Sequence, residues 1–214
     1  MRIDVWSDVV CPWCYLGKAR LEAALAQLPF ADEVEVRWRA FQLDPTATAE
    51  PKDLRTAIER KYGRGAFDGM TKRLTALGTE AGLDYRFDLA QRVTSLPALR
   101  LVAWVESTVG PDAAGRLHDR LFRAYFTEGA NIAEPANLVE WAVEVGADRE
   151  LAGEAVATAA GSDPVTLDLR EAAERDVTGV PAFVIDDRHL IPGAQDVETM
   201  RTLLARIHER AQAG

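Results

Sequence analysis

Cysteine is scarce: 214 residues carry two, Cys11 and Cys14. A disulfide-stapled scaffold is disfavoured, because one bridge within a helical turn closes a loop too small to constrain the chain. Histidine is scarce too. His118, His189 and His208 are the only three, and no two stand at metal-ligand spacing, so a zinc site built on the cysteines lacks further ligands. Positive charge is in deficit, with 25 Lys and Arg against 34 Asp and Glu and a net charge of −9. That balance argues against nucleic acid or an anionic membrane as the main partner, since both reward basic patches. No segment approaches the roughly 18 uncharged apolar residues of a membrane span. The acids Asp4 and Asp8 interrupt what would have to be the apolar stretch of a secretory signal. The expected compartment is therefore the cytoplasm, where structural disulfides are rare. No repeat, low-complexity tract or flexible linker is visible.

What remains is a globular chain, 48% hydrophobic and 28% charged, long enough for a sizeable core without staples. Ile3 and Val5 alternate with Asp4 and Trp6, which predicts a short strand ending at Ser7-Asp8. Leu21, Leu25 and Leu28 at helical spacing predict a helix over about 11–28, closed by Pro29. Residues 34–43 alternate again and are rich in branched and aromatic types, a second strand stopped by Asp44-Pro45. Strand, helix, strand in this space is a βαβ unit with a parallel pair. From Pro51 to about Val177 the pattern is helical almost throughout. Leu117, Leu121, Phe122 and Tyr125 form one apolar stripe, and Leu138, Trp141, Ala142 and Val145 another. Pro97 and Ser162-Asp163-Pro164 mark helix starts. Strands return at 182–186 and 189–192 around a turn at Asp187-Arg188, and an amphipathic helix over roughly 197–211 closes the chain. Strands at both ends must meet in one sheet, which makes the helical block an insertion: residues 1–45 and 165–214 form one unit and 46–164 the insert.

The two cysteines fall three positions apart, a spacing that random placement gives roughly once in a hundred chains. Cys11-Pro12-Trp13-Cys14 also follows a strand and opens a helix. There the first amide hydrogens and the helix dipole favour a thiolate on Cys11, the attacking species in disulfide exchange. Cys14, one turn on, faces the same way and can displace a substrate sulfur. Pro12 suits the first helical turn, and Trp13 offers a flat apolar surface beside the sulfurs. Three duller readings stand beside this one: two buried small hydrophobes, half a zinc site, or a structural disulfide.

Ser7 to Gly17 (Ser-Asp-Val-Val-Cys-Pro-Trp-Cys-Tyr-Leu-Gly) together with Thr178 to Ile185 (Thr-Gly-Val-Pro-Ala-Phe-Val-Ile) resemble the DsbA-like thioredoxin-fold oxidoreductases, most closely the cytosolic FrnE-like branch. Tyr125-Phe126-Thr127-Glu128-Gly129 with Asn131-Ile132, and Ile191-Pro192-Gly193-Ala194-Gln195, add support. The resemblance covers essentially the whole chain. It implies an α/β thioredoxin fold, a central four-stranded mixed sheet with a large all-helical insertion. It also implies that Cys11 is the nucleophile and Cys14 the resolving thiol, and that Val180-Pro181 is a cis peptide facing them and presenting its backbone to an extended substrate. The expected activity is dithiol–disulfide exchange on disulfide- or thiol-containing peptides or low-molecular-weight thiols, with no metal or organic cofactor; a homodimer is compatible with it. A glutathione-dependent transferase or isomerase on the same fold, and a non-enzymatic redox-regulated binding or chaperone module, are the alternatives.

The sequence departs from the branch at 93–101, where an expected histidine is missing, and at Ala182, where an aromatic is expected and a smaller side chain would widen the groove. Asp8 reads as a turn residue that could instead oppose a nearby thiolate. His118 and His208 read as solvated, His189 as half exposed, and Arg55, Arg60, Lys61 and Arg64 as a solvated helix face. Trp38, Trp104 and Trp141 read as core, and the Gly193-Ala194-Gln195 stretch as a turn near the cleft edge.

Overall fold

The structure is a computed structural model that describes residues 1–213. Strand β1 (Arg2–Ser7), helix α1 (Pro12–Leu25) and strand β2 (Glu35–Ala40) make the expected βαβ unit, with β1 and β2 parallel and Val5 opposite Trp38. Strands β5 (Ala182–Ile185) and β6 (His189–Pro192) complete the sheet near the far end of the chain. Two short strands between β2 and β5, β3 (Lys52–Asp53) and β4 (Gln91–Arg92), lie outside this sheet. The order is β2-β1-β5-β6, with β5 antiparallel to both neighbours. The hairpin turn differs slightly from expectation: Asp186 and Asp187, not Arg188, take positive φ. Aspartate tolerates that region better than most residues.

Both faces of the sheet are buried. Ile3, Val5, Phe183 and Ile185 face the main core with Leu21, Ala24, Met200 and Leu204, the last two from the terminal helix. The opposite face, carrying Trp6, Ala182 and Val184, meets Ala172 and Val177. Asp168 pins that side. It sits on the helix Ser162–Glu174, where its carboxylate accepts from the Ala40 amide at 2.8 Å and from Arg39 at 3.0 Å, while its carbonyl accepts from the Trp6 indole at 3.0 Å. Arg39 also bonds Asp4, which is 1% exposed. Asp4, which alternates with Ile3 and Val5, is thus buried too, because a covered sheet has no solvent face.

The block between the strands holds a two-residue ladder, β3 (Lys52–Asp53) with β4 (Gln91–Arg92), and helices α2 (Leu54–Tyr62), α3 (Ala66–Glu80), α4 (Leu96–Thr108), α5 (Pro111–Phe126), α6 (Pro135–Glu144), α7 (Arg149–Thr158) and α8 (Ser162–Glu174). Helix α9 (Val197–Ala213) follows the sheet and packs on α1. The ladder is absent from the sequence reading, since two paired residues produce no periodicity. Both apolar stripes are buried as expected, at Leu117, Leu121, Phe122 and Tyr125 and at Leu138, Trp141, Ala142 and Val145. Trp38 and Trp141 belong to the core, whereas Trp104 packs against it from a half-buried position. No helix among the described residues is long and apolar enough to cross a membrane.

Candidate functional site

Helix α1 starts where β1 has just ended, with Pro12 in its first turn and Cys11 as the extended residue before it. No side chain among the described residues caps this end. The turn is set by the backbone: the Cys11 amide donates to the Asp8 carbonyl at 2.9 Å, and the Cys11 carbonyl accepts from Cys14 at 3.0 Å. Both cysteines are free thiols and approach to 3.4 Å. They are unequal. Cys11 lines a cleft and its sulfur donates to the Val180 carbonyl at 3.6 Å, whereas Cys14 lies behind it, 1% exposed and away from the cleft wall. Burial pushes the Cys14 thiol well up, and the adjacent Cys11 sulfur adds to the shift. The Asp8 amide and the Ser7 hydroxyl pull the other way by favouring the Cys14 thiolate.

The Val180–Pro181 peptide is cis. Its place is held from two sides. The Pro181 carbonyl accepts from the Gly193 amide at 2.8 Å. Across the gap Gly17, one turn after Cys14, has no side chain; a Cβ there would lie 2.8 Å from Pro181 Cγ and 3.4 Å from Phe183 Cζ. Glycine is what lets the helix carrying the cysteines close on the proline loop. Ala182 does not widen the groove: it is buried on the other sheet face with Trp6, because successive strand residues point to opposite sides. Gly193-Ala194-Gln195 likewise supports Pro181 and, through the Ala194 carbonyl, accepts from Arg20, without lining the cleft.

The cleft holds about 1190 Å³. Val10, Cys11, Pro12, Trp13, Gly179 and Val180 form one side. Phe67, Met70 and Leu74 of α3, with Phe87 and Phe126, give it an apolar body. Arg60 and Lys61 of α2 line its rim together with Lys52 and Arg92. The basic run is exposed as expected at Arg55, Arg60, Lys61 and Arg64; Arg55 pairs with Asp68, and Arg60 and Lys61 also border the cleft. Arg73 stands over the Trp13 ring at 5.3 Å. Of residues 93–101 only Val93 lines the cleft; Leu96 onward belongs to α4, which buries Ala98, Leu99 and Leu101.

Several supporting residues escaped the sequence reading. Tyr85 donates to the Pro12 carbonyl at 2.5 Å, and its ring fills the hollow over Gly78, where a Cβ would fall 2.3 Å from it. Nothing in the local pattern marks Tyr85, which lies in a loop. Asp8 is fully buried; its carboxylate accepts from the Leu43 amide at 2.7 Å, the Val10 amide at 3.3 Å and the Ser95 hydroxyl. Burial pushes its acid up to about 6 despite those bonds. The turn role is real, but it also ties the cysteine loop to the segment after β2.

The histidines differ from expectation. His118 is not solvated: it is 1% exposed, between Trp38 at 4.6 Å and Phe122 at 4.9 Å, with Nε2 3.1 Å from the Ser7 hydroxyl. Burial, with Lys18 nearby, pushes it down to about 3. Its place on the inner face of α5, one residue past Leu117, is the signal that was available. His208 is half-buried and stacks on Phe30 at 3.8 Å. His189 is exposed on β6 and does not line the cleft.

Comparison with known proteins gives concordant matches. The family model of the DSBA-like thioredoxin domain matches residues 2–205. The Bacillus subtilis protein YwbO is 30% identical over 198 residues, covering 91% of this chain and 90% of its own length. The probable DsbA oxidoreductase SCO1869 of Streptomyces coelicolor superposes with a TM-score of 0.88 at 35% identity, over 96% of this chain and 89% of that one. The cytosolic disulfide reductase DsbM of Pseudomonas aeruginosa shares the fold, with a TM-score of 0.72 at 22% identity over 98% and 99% of the two chains.

Proposed function

The chain belongs to the DSBA-like thioredoxin domain family, and from that premise we propose that it is a thiol–disulfide oxidoreductase acting through Cys11 and Cys14. One observation carries the reading: a sulfur at the head of α1 opens onto a cleft beside Val180-Pro181, and a second sulfur lies sealed 3.4 Å behind it. Cys11, as thiolate, attacks one sulfur of a substrate disulfide; that bond breaks and the other substrate sulfur leaves with the electron pair and takes up a proton. Cys14 then loses its proton and attacks Cys11, giving the Cys11–Cys14 disulfide and releasing the second substrate thiol. Two electrons pass from the protein to the substrate, and the reverse sequence oxidises a dithiol.

Pro12, Trp13 and Val180, which line the cleft, and Pro181, buried next to Val180, are the substrate-binding residues of this proposal. Trp13 offers an aromatic surface, and the Val180 backbone offers pairing to an extended segment. The substrates are disulfide- or thiol-containing peptides or low-molecular-weight thiols. The cleft volume suits either, and the same fold in P. aeruginosa DsbM has been described with GSH. In a reducing cytoplasm the resting form is the dithiol, so net reduction or isomerisation follows. Residues 1–45 and 165–214 supply the chemistry, and 46–164 supply the far wall.

The test is mixed-disulfide trapping. Cys14→Ser, incubated with an unfolded disulfide substrate and resolved on a non-reducing gel, accumulates a covalent adduct through Cys11; Cys11→Ser accumulates none. Equal adducts from both variants, or disulfide turnover that survives Cys14→Ser in the presence of glutathione, would sink the dithiol assignment.

A further inference from the structure

In the exchange proposed above, on which this inference rests, Cys14 must become a thiolate inside the protein, and no cation among the described residues is one of the groups that act most strongly on it. What faces it are Cys11 beside it on α1, Tyr85 from the insertion, and Ser7 and the Asp8 amide at the end of β1. Tyr85 is itself pushed up by burial and stays neutral. Two groups at the end of β1 favour its charge, the Asp8 amide and the Ser7 hydroxyl. The amide is fixed by the backbone. A hydroxyl rotates, and it is useful only if something fixes its direction.

That something is His118. Its Nε2 lies 3.1 Å from Ser7 Oγ, and both side chains are sealed, Ser7 at 0% and His118 at 1% exposure. Its other nitrogen, Nδ1, has no hydrogen-bond partner among the described residues. A buried N–H without an acceptor is rarer in proteins than a bare acceptor. The proton therefore belongs on Nε2, where it has Ser7 to meet, and Nδ1 keeps its lone pair toward apolar surroundings. Trp38 and Phe122 sandwich the ring and fix its plane. Burial keeps the imidazole neutral, helped by Lys18, the charged group facing the ring from α1, which pairs with Glu22 and with Asp119 at 2.8 Å. With Nε2–H donating to Ser7 Oγ, the hydroxyl hydrogen is left to point at Cys14.

We propose that His118 is a positioning residue for the resolving step, holding Ser7 as a one-way donor to the Cys14 sulfur through the chain Nε2–H to Oγ–H to Sγ. The chain carries no net charge and moves no proton itself. In the step it serves, Cys14 gives up its proton, its sulfur bonds to Cys11, the bond from Cys11 to the substrate breaks, and the leaving substrate sulfur takes the electron pair and one proton. The donor chain strengthens as charge develops on Cys14 and leaves the first attack by Cys11 untouched.

An aromatic disulfide that releases a coloured thiolate separates the two steps. The reduced protein releases one equivalent when Cys11 attacks and a second when Cys14 resolves, so stopped-flow absorbance reads each rate. In Ser7→Ala the second phase is expected to slow by about 10-fold or more, the factor that a hydrogen bond to a charged group carries. Its pH midpoint is expected to rise by about one unit, while the first phase keeps its wild-type rate. His118→Phe should behave likewise. His118→Gln, whose amide can donate to Ser7, should resolve within about 3-fold of wild type, which a packing role alone would not produce. Ser7 loses a single atom in its variant, so the comparison does not depend on the larger change at 118. A second phase of wild-type rate and midpoint in Ser7→Ala, or a Gln variant as slow as Phe, overturns the inference and leaves the exchange reading standing. Failure of the wild-type protein to release the second equivalent overturns both.

Discussion

At the scale of single residues, Asp8 shows how burial and hydrogen bonding compete. Three donors favour its charge, yet full burial and the neighbouring Asp44 leave the acid at about 6 against 3.8 for a free one. An acid raised in the folded state binds its proton more tightly there than in the unfolded chain. Stability from this group is therefore complete below pH 3.8 and lost as pH rises through 6. The shift corresponds to about 3 kcal/mol. Asp8→Asn removes the titration. Its stability relative to wild type should rise by about 2–3 kcal/mol between pH 4 and pH 7, as read from urea unfolding at each pH. A difference that stays flat across that range would show that Asp8 ionises freely in the folded protein. The sequence shows Asp8 as a turn residue near the cysteines; it does not show Leu43 and Ser95 closing over it, since both arrive from distant segments. His118 is the same lesson reversed: a polar residue among charged neighbours turns inward because the helix period places it beside Leu117 and Leu121.

At the scale of elements, the spacing between α1 and the loop of Pro181 is set by Gly17. A methyl group there meets the proline ring at 2.8 Å, and the ring cannot rotate away. Gly17→Ala should destabilise the protein by about 1–3 kcal/mol, the usual range for overpacking, and should slow disulfide turnover by separating Cys11 from Val180. Chemical unfolding and turnover of an unfolded disulfide substrate measure the two effects. A stable variant with normal turnover would mean that the loop adjusts without consequence. Elements with strong periodicity were legible from sequence: β1, α1, β2, the stripes of α5 and α6, the β5–β6 hairpin and α9 all lie close to where alternation or helical spacing puts them. The β3–β4 ladder was not legible, and neither was the inner face of α8. Asp168, the residue that pins this helix to the sheet, is polar, and its value comes from Arg39, Ala40 and Trp6, more than 120 positions away.

At the scale of the whole molecule, the sheet order brings Trp6 against Ala182 and so places the cysteine loop beside the proline loop, although their sequences lie at opposite ends. The cysteine motif was legible because chemistry concentrates in four adjacent residues. The opposing wall of the cleft was not, because Arg60, Lys61, Phe67 and Phe87 acquire a common purpose only after the chain has folded. Cys11 is 3% exposed and lines the cleft. Disulfides in unfolded polypeptides or small molecules should therefore turn over at least about 10-fold faster than those inside stable folded domains, a ratio measurable by comparing one protein substrate before and after denaturation. Equal rates would contradict so narrow an approach.

That recess also imposes a discipline on traffic. Under the proposed exchange, a bridge locked within a finished domain would reach the sulfur poorly, whereas one on a slack chain could slip in, react and withdraw. The shape of the entrance would then sort substrates by how loosely they are held, with no separate step of recognition.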